Sequence, residues 1–189
     1  MIAVIDCNSL LSLARYYLPN DKKNKLYEFL KRKIVAGEIL VIDKILNEAK
    51  FNSKGLAVKK LDFLDDKLFC RQNHVGEKTD DLIPVAHEKF YRMVDDNFSV
   101  KSQTQKLTEA QYNVIKNEYL NSADCKLIVK ALNLKKSGEE VVIVTEETMF
   151  SNDKKLFKKI PAICKILEIK AVNIQEFIEM QHEVIIEIN

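Results

Sequence analysis

The chain reads as an α/β protein, with a central, mostly parallel sheet flanked by helices and a helical insertion near its middle. Three observations predict this. Short apolar runs, Ile2-Ala3-Val4-Ile5, Ile39-Leu40-Val41-Ile42 and Val141-Val142-Ile143-Val144, each stop abruptly at polar or acidic residues, the pattern of strands covered on both faces. Segments with apolar residues three and four apart lie between them, so strand and helix alternate, the order that winds a parallel sheet. Only four glycines and three prolines interrupt 189 residues that are 47% hydrophobic, which favours a helix-rich chain with a core of its own.

Each element has its local reason. The first strand delivers Asp6 to its carboxyl end, and Asp6 or Asn8 can cap a helix whose apolar face is Leu10, Leu11, Leu13 and Ala14. Tyr16 to Asp21 reads as a turn-rich break, with Tyr16 and Tyr17 expected in core or turn packing and stacking on nucleic-acid bases as the alternative. A helix follows with Leu26, Phe29, Leu30 and Ile34 inward, Lys22, Lys23, Lys25, Lys31, Arg32 and Lys33 on its outer face, and Gly37 at its end. Glu38 to Ile42 is the second strand. Asp43 can cap the next short helix, where Ile45, Leu46 and Ala49 pack inward and Glu48 falls on the edge of the buried stripe.

From about 52 to 118 no buried strand is expected, only short helices that need the main body to bury Ala57, Leu61, Leu64, Phe90 and Val94. Arg71 to Lys78 reads as a loop; Thr79, Asp80 or Asp81 can cap the next helix with Pro84 in its first turn, and Thr108 with Gln111 has capping-box spacing. Ser122 caps a helix carrying Asp124 in its first turn, with Leu127, Ile128, Ala131 and Leu132 inward and Gly138 beyond its end. Val141 to Thr145 is the strongest strand and runs into Glu146-Glu147. Pro161 opens a helix, Ile169 to Asn173 is a further strand, Ile174 to Met180 a last helix, and Val184 to Ile188 an additional edge strand. The whole is expected to be one domain, 1–189, with the insertion inside it.

Composition bounds the function. Thirty basic and 28 acidic residues give a net charge of +2, so bulk charge does not mark a nucleic-acid binder and local clusters must. Cys7, Cys70, Cys125 and Cys164 lack paired metal-ligand spacing, which argues against zinc and for free thiols in a reducing compartment. No apolar stretch reaches the ~18 residues needed to cross a bilayer, so a cytoplasmic protein with no membrane partner is expected. Four acids, Asp6, Glu48, Asp124 and Glu147, all fall at one end of the expected sheet. Each has an ordinary explanation as a cap, a solvated residue, a helix-dipole partner or a loop acid. Together they are costly, because two carboxylates ~5 Å apart repel by about 3 kcal/mol at an effective dielectric near 20. Protons or a divalent cation must offset that repulsion, and all-oxygen ligands suit Mg2+ or Mn2+.

The order strand-Asp6-Cys7-Asn8, then Glu48 after the second strand, then Ser122-Ala123-Asp124 opening a helix, then Val141 to Glu147, resembles the PIN domain, the metal-dependent ribonuclease fold of VapC-type toxins. The segments Lys159 to Leu167 and Ile169 to Asn173 resemble an uncharacterised bacterial branch of that superfamily. The resemblance covers about 1–51 and 119–180. It implies Mg2+ or Mn2+ held by Asp6, Glu48 and Asp124 with Glu147 in the outer position, and Asn8 or Thr145 orienting a carboxylate or a water. It further implies hydrolysis of RNA, a role as the toxin of a toxin–antitoxin system, and an antitoxin protein or a second copy as partner. Two departures stand out: Cys7 replaces the usual Thr or Ser, and the fourth acid is Glu147 rather than Asp, with Asp153 the alternative. Lys154, Lys155, Lys158 and Lys159 follow the site closely enough to guide an RNA backbone. His74, His87 and His182 are scattered and receive no role.

Other readings remain. A catalytically silent PIN-like module binding RNA or protein would keep the fold without the chemistry. A haloacid-dehalogenase-type phosphatase wants a second Asp where Asn8 stands, and a phosphoacceptor receiver wants paired acids near the first strand, which Glu48 does not supply.

Overall fold

The computed structural model describes residues 1–149 and 155–181. The chain opens with strand β1 (Ile2–Ile5) and helices α1 (Cys7–Ser12) and α2 (Lys25–Val35), then β2 (Ile39–Leu40) and α3 (Asp43–Phe51). The insertion contributes α4 (Leu56–Lys60), α5 (Lys67–Gln72), α6 (His87–Met93), α7 (Lys101–Thr104) and α8 (Glu109–Leu120). Helix α9 (Ala123–Lys136), β3 (Val141–Val144), α10 (Ile160–Leu167), β4 (Lys170–Val172) and α11 (Ile174–Met180) complete it. The four strands form one all-parallel sheet in the order β2-β1-β3-β4. The protein is therefore α/β, as its alternating pattern predicts.

Strand order fixes where a site belongs. From β1 the chain moves outward to β2, and from β3 it moves the opposite way to β4, so the direction reverses between β1 and β3. Such a switch point leaves a crevice at the carboxyl ends of the two strands, because right-handed crossovers send the helices after them to opposite faces. Register then decides which residues meet there. Ile5 pairs with Val144, so the next residues, Asp6 and Thr145, emerge side by side.

Helix α9 packs on β1 and β3 and is covered along most of its length, with Leu127, Ile128 and Ala131 fully buried. Ser122 accepts a hydrogen bond from the Cys125 N–H (3.2 Å) and so starts the helix as expected. Capping boxes start α8 (Thr108 with Gln111) and α11 (Asn173 with Glu176). Gly76, with φ +74°, sits where a Cβ would lie 2.7 Å from a Leu46 methyl, so the turn can close over α3 only without a side chain.

The insertion shares the main core rather than forming its own: Ala57, Leu61, Leu64, Phe90, Val94 and Phe98 join the same buried cluster as the sheet. At its far end the Val100 N–H donates to the Leu156 carbonyl (2.8 Å) and the Lys158 N–H to the Phe98 carbonyl (2.9 Å), tying the insertion to the segment after β3.

Several expectations are corrected. Residues 80–86 are not helical and are not capped by Thr79, Asp80 or Asp81. The buried Lys126 ammonium donates to the carbonyls of Asp80 (3.0 Å) and Leu82 (3.2 Å). The Asn133 amide bonds the Val85 N–H and the Ile83 carbonyl. These contacts hold the strap across α9, and α6 starts only at His87. Asp43 is not a cap: Ile42 holds that position and the Asp43 carboxylate accepts from the Thr79 hydroxyl. Lys33 is not on an outer face but buried, with its ammonium 2.6 Å from Glu38. Tyr16 to Asp21 is not a simple break, since α1 continues as a wide π turn, Leu13–Tyr17, and then a 3-10 turn, Leu18–Asn20. The second strand shrinks to Ile39–Leu40, with one further bridge from Ile42 to Glu77. Val184 to Ile188, His182, Asp153 and Lys154 lie outside the described residues. The four cysteines are free thiols, as their spacing predicts. No helix among the described residues is long and apolar enough to cross a membrane.

Candidate functional site

Asp6 stands at the switch point and is only 3% exposed. One carboxylate oxygen accepts the Cys7 N–H (2.6 Å), capping α1, and the other accepts the Thr145 hydroxyl (3.1 Å). Capping and site geometry are thus the work of different oxygens on one side chain. Burial and, next, the charge of Asp124 push the Asp6 carboxyl up to about 7, against the pull of the Thr145 and Cys7 hydrogen bonds. Thr145 orients Asp6, as expected, and also accepts the Glu147 N–H (3.2 Å). Asn8 instead lines the neighbouring cleft.

Asp124, in the first turn of α9, is raised by burial and by Glu147, with Lys155 pulling it back. Glu48, exposed on α3, is raised by partial desolvation and by Asp124. The four acids expected from the sequence therefore share one electrostatic neighbourhood, each reaching it on a different element. Among the described residues none of Asp6, Glu48 and Asp124 forms an ion pair with a Lys or Arg.

Glu146 and Glu147 are held differently. Glu147 accepts the Ile160 N–H (2.9 Å) at the start of α10, and Glu146 accepts the Ile174 N–H (3.0 Å) at the start of α11. Two helix N-termini thus draw on the charge of the loop after β3. The Tyr119 hydroxyl is the buried side-chain oxygen without a hydrogen-bond partner among the described residues. It is far less acidic than a free phenol, through burial and the charges of Cys125, Asp124, Cys164 and Glu147.

Oxygen donors of this kind suit a hard divalent cation, and the mutual repulsion of the acids is what such an ion would relieve. As the side chains stand, no three His, Cys, Asp or Glu groups among the described residues are drawn together tightly enough to hold one.

Beside the acids lies an open cleft of about 370 Å³, lined by Asn8, Arg15 and Tyr16 from α1 and its π turn and by Glu147, Thr148 and Lys159 from the chain between β3 and α10. Lys155 faces Asp124 electrostatically, while the Lys158 ammonium donates to the Asn97 carbonyl (2.6 Å) and is committed to the fold.

Residues 4–185 match the family described as a domain of unknown function, DUF4411. The chain belongs to that family. No curated protein and no solved structure shows a match. The matched span includes the helical insertion. In this DUF4411 chain, sequence reasoning missed Glu146 as the latch on α11, Tyr119 as the orphaned phenol, and Arg15 as a cleft residue. Glu146 directly after a strand-end Thr was the one local signal. Tyr119 and Arg15 carry none, because only the docking of α8 and the π turn puts them there.

Proposed function

We propose that the chain is a Mg2+- or Mn2+-dependent endoribonuclease of the PIN type. One observation carries the reading: Asp6, Glu48 and Asp124, remote in sequence, are each raised by burial and then by a neighbouring acid, Asp124 acting on Asp6 and Glu48 and Glu147 on Asp124. Structural acids are normally paired with cations; among the described residues Asp6, Glu48 and Asp124 form no ion pair with Lys or Arg.

Asp6, Asp124 and Glu48 would hold the cation, with Glu147 in the outer position. When bound, a divalent ion supplies an activated water and offsets the charge that builds on a phosphodiester under attack. The protein's own part is orientation. Thr145 fixes one Asp6 oxygen and the Cys7 N–H fixes the other, so Asp6 enters the reaction in a set rotamer. The Ile160 N–H restrains Glu147, and Lys155 balances Asp124 until a cation arrives. Incubation of labelled RNA with Mn2+ tests this. Cleavage should require the ion and vanish in Asp6→Asn and Asp124→Asn with the fold retained; equal rates in both variants and the parent would remove the assignment. A role as a toxin adds that expression arrests growth and Asp6→Asn does not, with a neighbouring antitoxin restoring growth.

A second reading, a catalytically silent PIN-like module that binds RNA or a protein, is favoured by two facts. Among the described residues no three acids converge tightly, and Glu147 has one oxygen committed to α10. Calorimetric titration with Mn2+ separates the two: an absence of binding together with an absence of cleavage selects the silent module.

A further inference from the structure

The cleft beside the acids has walls of a different character from the acids themselves. Helix α1 widens into a π turn at Leu13–Tyr17, where the Leu18 N–H reaches back to the Leu13 carbonyl. Leu13 and Ala14 stay buried while Arg15 and Tyr16 face outward. Tyr16 is 66% exposed and lines the cleft rather than the core. The Arg15 guanidinium donates to the Ser53 hydroxyl. Lys159 lines the cleft from a different segment. The acids that also line it, Glu146 and Glu147, each accept an N–H from a helix N-terminus, so part of their charge is already drawn on.

We propose that this cleft binds one nucleotide of a single-stranded polynucleotide, its base stacked on Tyr16 and its flanking phosphates against Arg15 and Lys159. The inference deepens the nuclease reading and rests on it for the choice of RNA. A cleft of about 370 Å³ is at the small end of ligand sites and suits a single nucleotide rather than a duplex. A paired base keeps its faces inside the helix and offers nothing to an exposed ring, whereas an unpaired base stacks on it whatever its identity. The two cations come from different segments that both line the cleft, Arg15 from the π turn and Lys159 from the residue before α10, so a strand could meet one on each side of the stacked base.

The test uses the full-length Asp6→Asn chain with EDTA present, so binding is read without cleavage. The probe is a fluorescein-labelled eight-nucleotide RNA of mixed sequence, compared with a hairpin duplex of similar length by fluorescence polarisation. The single strand should bind more tightly than the hairpin. Adding Tyr16→Ala should weaken single-strand binding roughly ten-fold, and Tyr16→Phe should restore it. Arg15→Ala and Lys159→Ala should each lower the slope of log affinity against log salt by about 0.7. Absence of saturable binding, an unchanged affinity in Tyr16→Ala, or equal affinity for the hairpin overturns the proposal. Its failure is separable from that of the nuclease reading. Parent protein that cleaves RNA with Mn2+ while Tyr16→Ala binds normally loses only the subsite, and Tyr16-dependent binding without cleavage by the parent loses only the nuclease.

Discussion

Asp6→Asn should make the metal-free protein more stable while removing its proposed activity, a combination expected of a site residue and not of a structural one. Burial and Asp124 raise the Asp6 carboxyl from 3.8 to about 7, a difference worth roughly 4 kcal/mol at 1.36 kcal/mol per unit. The sign follows from proton counting. Between those two values the native state holds a proton that the unfolded chain has lost, so stability falls as pH rises through that window. Above pH 7 the penalty is complete; below 3.8 it is absent, because both states are protonated. Asparagine carries no charge and keeps both contacts, since its carbonyl can accept from Cys7 and its amide can donate to the Thr145 oxygen. Imperfect amide geometry takes back part of the gain, leaving about 1–3 kcal/mol at pH 8. Urea unfolding in EDTA reads this directly: at about 2 kcal/mol per molar urea, the midpoint should move up by about 1 M at pH 8 and hardly at pH 4. Mn2+ at 100 times its Kd should restore about 2.7 kcal/mol to the parent and little to the variant. An Asp6→Asn midpoint at or below the parent's at pH 8 would refute the reasoning.

Three further outcomes follow from particular contacts. Thr145→Val removes the donor to Asp6 and the acceptor for the Glu147 N–H, so Asp6 should hold its proton to still higher pH. Mn2+ affinity should drop roughly 10- to 100-fold by calorimetry, and an unchanged Kd would deny Thr145 its orienting role. Lys126→Met leaves the Asp80 and Leu82 carbonyls without their donor and should cost about 1–3 kcal/mol. Amide exchange should quicken in residues 79–86 first, while protection confined to its parent level there would count against the strap. Burial pushes the thiols of Cys7 to about 11 and of Cys125 and Cys164 to about 12, whereas Cys70 is only half-buried. A disulfide reagent at pH 8 should therefore label one thiol quickly, and mass mapping should find it at Cys70.

How much was legible depended on how local the cause was. The strands around Val4 and Ile143, the Ser122 cap and the Thr108-Gln111 box are set within a few residues, and all stand where the pattern puts them. The acids at strand ends and helix starts were legible for the same reason: a parallel sheet sends every such position to one edge. What failed was decided at long range. Asp80 to Ala86 has capping residues and a proline, the signature of a helix start, yet Lys126 and Asn133 capture its carbonyls and amides first. Lys33 looks like one of a row of surface lysines, and only its pairing with Glu38 across the turn to β2 buries it.

The acids themselves divide by what holds them, and the division separates fold from site. Glu146 and Glu147 each receive an N–H from a helix that the chain must start anyway, α11 and α10, so their charge stabilises the loop after β3. Asp124 sits in the first turn of α9, where the dipole favours it, and still ends up raised, because burial and Glu147 outweigh that favour. Asp6 has two good donors and is raised further, to about 7. A fold selecting for stability alone would place an asparagine or a serine at position 6, since either can cap α1 and neither carries a charge into a buried crevice. The carboxylate there works against the metal-free fold, and a cation bound by Asp6 and its neighbouring acids would offset that cost.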